Sequence, residues 1–107
     1  RDANLLAICD DLPGSMDRTY WRVEDFNLLQ KMHSGYASAV YKAICKRSGQ
    51  TVALKVYQPA KLHEISQFQL FREARLHAQL SHPNIVKLYS AFKHGSSVIL
   101  VQEYADG

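Results

Sequence analysis

At 107 residues the chain has room for one compact domain, and 47% apolar with 21% charged residues is the composition of an ordinary globular protein. A formal charge of +3 and a pI near 9.0 are mildly basic, but the charges are interspersed, which argues against a nucleic-acid-binding stripe. No run approaches the ~18 apolar residues of a membrane span, and no signal-peptide pattern opens the chain.

Cys9 and Cys45 match no metal or redox spacing and read as free thiols of an intracellular protein, cytoplasmic or nuclear. The five histidines (His33, His63, His77, His82 and His94) fall on different predicted elements, so no metal site is expected. The opening residue is Arg1 rather than Met, which reads as a piece of something longer.

Residues 1–20 differ in character from the rest. The stretch Ala3 to Leu12 has the composition of a short helix halted by Pro13-Gly14. A helix of that length is marginal alone, so residues 1–20 are predicted to be a flexible lead-in to a domain at 21–107. Phe26 to Met32 and Ala39 to Cys45 then read as strands joined by the small-residue segment His33-Ser34-Gly35-Tyr36-Ala37-Ser38. A turn at Arg47-Ser48-Gly49-Gln50 leads to a third strand, Thr51 to Tyr57, which ends before Pro59.

Glu64 to Leu80 reads as a helix with Leu70, Glu73, Leu76, His77 and Leu80 on one face. Pro83 stops it. Strands at Ile85 to Phe92 and Val98 to Glu103 complete the pattern. The fold class is α+β: a five-stranded antiparallel sheet with one major helix between its third and fourth strands.

Lys55 lies in the middle of the apolar run Val52-Ala53-Leu54-Lys55-Val56. Alternation puts Ala53 and Lys55 on one sheet face and Val52, Leu54 and Val56 on the other. A covered lysine wants an anionic partner, and Glu73, on the apolar face of the helix, is the natural candidate. The bland readings are a surface lysine on a solvated sheet and a helix-surface Glu73 beside Arg72 and Arg75. Phe68 and Phe71 lie roughly opposite Glu73. They either pack on the lead-in or form a docking patch.

Val52-Ala53-Leu54-Lys55, the helix glutamate, His82-Pro83-Asn84-Ile85 and a last strand ending in Glu103-Tyr104 together resemble the N-terminal lobe of a eukaryotic protein kinase. Trp21-x-x-Glu24-Asp25-Phe26, Gln69-Leu70-x-Arg72-Glu73, His77 and Glu103-Tyr104-Ala105 are most similar to the Aurora family of Ser/Thr kinases. The resemblance implies that Lys55 binds the α- and β-phosphates of ATP, oriented by Glu73. It further implies that Met32, His33, Gly35 and Ser38 help bind the cofactor, His33, Gly35 and Ser38 in the phosphate loop, and that Val40 and Ala53 pack on the adenine. The backbone of Glu103 and Ala105 would hydrogen-bond the adenine edge, with Gln102 as gatekeeper.

Mg²⁺ ligands and the catalytic loop are expected in a C-terminal lobe absent from these residues. Implied partners are ATP, a protein substrate whose hydroxyl receives the γ-phosphate, and an activating protein on the face of helix 64–80, with neither nucleic acid nor membrane. The sequence departs from the family at G-x-G-x-x-G-x-V, where only Gly35 remains and His33 and Ser38 replace the outer glycines. Crowding of the loop is expected, because glycine is used where a β-carbon hinders the backbone. That departure motivates the alternative of a pseudokinase-type binding module, against which the pair Lys55 and Glu73 argues.

Overall fold

The computed structural model describes residues 4–80 and 82–105. Six strands and one helix follow in the order β1 (Leu5–Ile8), β2 (Phe26–Ser34), β3 (Ser38–Cys45), β4 (Thr51–Tyr57), α1 (Glu64–Ala78), β5 (Leu88–His94) and β6 (Ser97–Glu103). They form one antiparallel sheet with spatial order β1-β5-β6-β4-β3-β2.

The meander β2-β3-β4 follows from β-branched and aromatic alternation interrupted by turns. Gly49, at φ 78°, closes the β3–β4 turn and Gly95, at φ 59°, the β5–β6 turn, both in the left-handed region that costs glycine least. β2 carries two bulges, between Leu28 and Gln30 and between Lys31 and His33. A bulge bends its strand and raises the local twist.

The sheet is covered on both faces. On one, Met16 and Trp21 from the segment before β2, with Phe26 at the start of β2, pack with Val52, Leu54, Phe92, Ile99 and Val101. Trp21 and Phe92 meet at 6.4 Å between ring centroids. The Arg18 side chain is wholly buried in this layer, 4.7 Å over the Trp21 ring and 3.8 Å from the Asp25 carboxylate. It also donates to Met16 O at 3.2 Å and to Cys45 Sγ at 3.0 Å. Burial pushes the Cys45 thiol up, but hydrogen bonds from Ser48 and Arg18 outweigh that and lower its pKa. The other face holds α1 over Leu88, Ala91, Val98 and Leu100.

The sheet therefore has six strands where the sequence indicated five, and the additional strand comes from the predicted lead-in helix. Leu5–Ile8 is extended and pairs with β5 through Leu5–Phe92, Ala7–Ala91 and Ile8–Ser90. Ala3, where the helix was expected to begin, lies outside the described residues. A short apolar run does not by its periodicity distinguish strand from helix; here the unpaired edge of β5 decides it, by accepting its hydrogen bonds. A bulge between Leu5 and Ala7 breaks the alternation, so Leu5 and Ile8 join the Trp21 layer while Leu6 and Ala7 join the α1 layer.

Backbone hydrogen bonds extend the pairing at both ends, Lys93 N–H to Asn4 O at 2.8 Å and Cys9 N–H to Tyr89 O at 2.9 Å. Just beyond, the Asp11 carboxylate accepts from the Cys9 thiol at 2.7 Å and from Lys87 Nζ at 2.8 Å. These two bonds, the thiol first, hold its pKa down at about 2.

Candidate functional site

The register of β3, β4 and β6 gathers one set of side chains on the face that α1 partly covers. Val40, Lys55 and Leu100 form one cross-strand row, and Lys42, Ala53 and Gln102 the next. His33 is added through its pairing with Val40. Tyr41, Leu54 and Val56 go to the opposite face, where Leu54 is buried and the other two pack against the Trp21 layer.

A cavity of about 180 Å³ lies between this face and α1, lined by Lys55, Tyr57, Leu70, Glu73, Ala74, His77, Leu100 and Gln102. Its polar wall is one lysine, one carboxylate, one histidine and one amide. The Lys55 ammonium lies 5.3 Å from the Tyr57 ring, a distance at which the ring quadrupole attracts it. His77 Nε2 is 2.6 Å from the carbonyl oxygen of Val86, tying the last turn of α1 to the loop before β5.

Lys55 and Glu73 thus share a cavity, but no ammonium–carboxylate approach within 4 Å joins them; among the described residues the ion pairs are Arg18–Asp25 and Lys87–Asp11. Glu73 is exposed rather than buried. The reason is the rotation of α1. Its buried residues are Ala74 and Ala78, with Phe71 half-buried against the same cluster. Leu76 and Leu80, expected to face the sheet, are 51% and 49% exposed. Small side chains let the helix approach closely, so alanine takes the stripe that leucine was expected to fill. Of the two aromatics, Phe71 packs with the β1 cluster, while Phe68 points outward, 69% exposed.

At the β2–β3 turn the Gly35 N–H donates to Ser38 O at 2.7 Å. Among the described residues no non-glycine has positive φ. His33 and Ser38 therefore sit in ordinary extended backbone, and the expected strain from losing two glycines is missing. A Cβ on Gly35 would meet Ser38 O at 3.7 Å, ordinary van der Waals contact. Met32 occupies the bulge between Lys31 and His33 and is exposed, as are His33 and Gly35, while Ser38 and Val40 are half-buried.

At the far end of β6 the Glu103 N–H donates to Lys87 O at 2.8 Å, and a Glu103 carboxylate oxygen accepts from the Lys87 N–H at 3.3 Å. Ala105 is exposed beyond them. Asp106 and Gly107 lie outside the described residues. In the turn after α1, His82 Nδ1 accepts from the Asn84 N–H at 3.1 Å, a structural role. Sequence reasoning missed Tyr57 and Leu100 as cavity walls, and Asp11 with Lys87 as a tie between the first residues and the last strands. Leu100 was recoverable from strand register, whereas the Asp11–Lys87 pair spans 76 residues and leaves no local signal.

The protein kinase domain family matches residues 26–107. Among curated proteins the chain is 34% identical over 111 residues to the serine/threonine-protein kinase srk1 of Schizosaccharomyces pombe, covering 94% of this chain and 19% of that protein. It is 40% identical over 86 residues to the serine/threonine-protein kinase Aurora-2 of Arabidopsis thaliana, covering 79% of this chain and 30% of the relative. Calcium-dependent protein kinase 5 of Plasmodium falciparum is 39% identical over 77 residues, 72% of this chain and 13% of the relative. The chain spans less than a third of the length of each, and Aurora kinases are one of several Ser/Thr kinase groups it resembles.

Proposed function

The chain belongs to the protein kinase domain family, and on that premise we propose that it is the ATP-binding lobe of a protein serine/threonine kinase. The observation that carries the reading is the cavity wall that Lys55 shares with Glu73 and Gln102, in the cross-strand rows that also hold Val40 and Ala53. Among the described residues Lys55 is a half-buried cation without a carboxylate within 4 Å, which suits an anionic ligand. In this reading Lys55 holds the α- and β-phosphates, and Glu73 closes on Lys55 to fix its position. Val40 and Ala53 enclose the adenine, and the backbone of Glu103 and Ala105 orients it. ATP supplies the phosphoryl group, with Mg²⁺ neutralising its charge when bound.

The 107 residues contain neither His-Arg-Asp nor Asp-Phe-Gly, so the Mg²⁺ ligands and the catalytic aspartate belong to residues outside this lobe. A protein hydroxyl is the acceptor. The outward face of α1, with Ile65 and Phe68 exposed beside Arg72 and Arg75, is the proposed contact for an activating protein, and intracellular residence follows from the family reading.

The test is Lys55→Met in the full-length protein. Loss of kcat/KM for ATP by two or more orders of magnitude, with the thermal midpoint nearly unchanged, supports the reading. Turnover like that of the wild type sinks it. A second reading, a binding module without catalysis, is favoured only by the open Lys55–Glu73 pair. Nucleotide binding without any phosphoryl transfer from the full-length protein would select it.

A further inference from the structure

α1 rests on β1 and β5, its principal contacts among the other elements. The strand that carries Lys55 is not among them. β1 and β5 are therefore a principal route by which the height and rotation of Glu73 over β4 are set, beside the Gln67 bonds to Pro59 O and Leu62 O and the contact of His77 with Val86 O. β5 is a central part of the sheet, paired on one side with β6. β1 is an edge strand of four residues, contributed by a segment upstream of the family match at residues 26–107.

We infer that residues 5–12 are a positioning strap, which holds α1 so that Glu73 faces Lys55. This inference rests on the kinase reading above for its consequence, though not for its geometry. The strap is fastened at both ends. Its start is held by the Lys93–Asn4 backbone bond, and its far side by Cys9 to Tyr89 and by the 2.8 Å Asp11–Lys87 bond. Between the fastenings, the bulge turns both Leu6 and Ala7 toward α1, where strict alternation would offer only one of two neighbours. Leu6 and Ala7 meet Ala74, Ala78 and Phe71, in the helical turns that also carry Glu73 and His77.

The same fastening reaches the other end of the site. Lys87, which binds Asp11 by its side chain, exchanges backbone and side-chain hydrogen bonds with Glu103. Loosening the strap would shift α1 relative to β4 and relax the end of β6 at Glu103, although no residue of the strap is itself placed against ATP.

The variants are Leu6→Ala, Leu6→Ile and Asp11→Asn in the full-length protein, read by amide hydrogen exchange and by steady-state kinetics. Leu6→Ala should speed exchange along α1 by about tenfold while amides of β3 and β4 keep their protection. It should raise KM for ATP several-fold, and Leu6→Ile should restore both. Asp11 is 55% exposed at its side chain, so Asp11→Asn keeps the fold and should act in the same direction more weakly. If Leu6→Ala does not fold, Asp11→Asn carries the test alone, and unchanged α1 exchange in it overturns the strap.

A merely structural role predicts that Leu6→Ala and Glu73→Gln act additively. Positioning through Glu73 predicts that Leu6→Ala has no further effect on KM in a Glu73→Gln background. Additive effects overturn the inference. Failure of the kinase reading is distinguishable, because it shows as Lys55→Met and Glu73→Gln leaving nucleotide binding intact while the exchange result stands.

Discussion

Arg18 is the residue on which the Trp21 layer most depends. Its guanidinium is buried over Trp21 and 5.7 Å from the Phe26 ring, with Asp25, Met16 O and Cys45 as polar partners. Arg18→Ala would remove the stacked cation and leave Asp25 facing an apolar gap. The expected loss is ~3 kcal/mol, at the lower end for breaking a buried pair because Asp25 keeps some solvent contact. Urea unfolding of the 107-residue chain measures it, and a change below ~1 kcal/mol would show the site to be wetter than described. Asp11 gives a pH signature. Its folded pKa, about 2, lies below the ordinary value of 3.8, so its contribution is fully present above about pH 4 and disappears as pH falls towards 2. The difference in urea midpoint between wild type and Asp11→Asn should shrink across that window and stay constant above it. At the phosphate loop, His33→Gly with Ser38→Gly restores the family pattern. Neither residue holds a left-handed backbone that glycine would ease, so the added backbone freedom decides, and nucleotide affinity should be unchanged or several-fold weaker. Tighter binding by calorimetry on the full-length protein would mean that crowding governs after all.

Among the elements, what could be read from sequence followed from how local the determining interactions are. Thr51–Tyr57 has the same bounds in sequence and structure, because β-branched alternation, a preceding turn and a following proline all lie within ten residues. The helix begins at Glu64 in both, yet its rotation was misjudged. Large apolar side chains at helical spacing suggested the buried stripe, but burial against a sheet edge also rewards closeness, and Ala74 and Ala78 provide it. Glu73, Lys55 and Gln102 line one cavity, while the contact anticipated between the first two is open. β1 escaped detection since Leu-Leu-Ala-Ile suits either conformation and its partner strand lies some eighty residues away. The tight alanine stripe yields a prediction of its own. Ala78→Leu should destabilise by roughly 1–3 kcal/mol through overpacking against β1 and β5. Differential scanning calorimetry would detect it, and an unchanged midpoint would mean that α1 rides higher on the sheet than it does here.

For the whole molecule, the proposed reading puts the catalytic aspartate and the magnesium ligands outside these residues, so on that reading the lobe alone should not transfer phosphate. The purified 107-residue chain is expected to show no phosphorylation of a generic protein substrate; measurable transfer would refute the reading. The order β1-β5-β6-β4-β3-β2 has a further consequence. The two strands nearest the start of the chain form the two opposite edges of the sheet, so the segment from Cys9 to Asp25 crosses a whole sheet face between them. On a ribosome β1 emerges before the other strands of this sheet but does not meet its partner until β5 has been made, whereas β2, β3 and β4 zip in sequence as neighbours. Closing β1 onto β5 carries the largest loop-entropy cost of any pairing in the sheet. The first strand of this lobe thus waits for its fifth, and a nascent chain paused before Leu88 would hold a meander with β1 still unpaired.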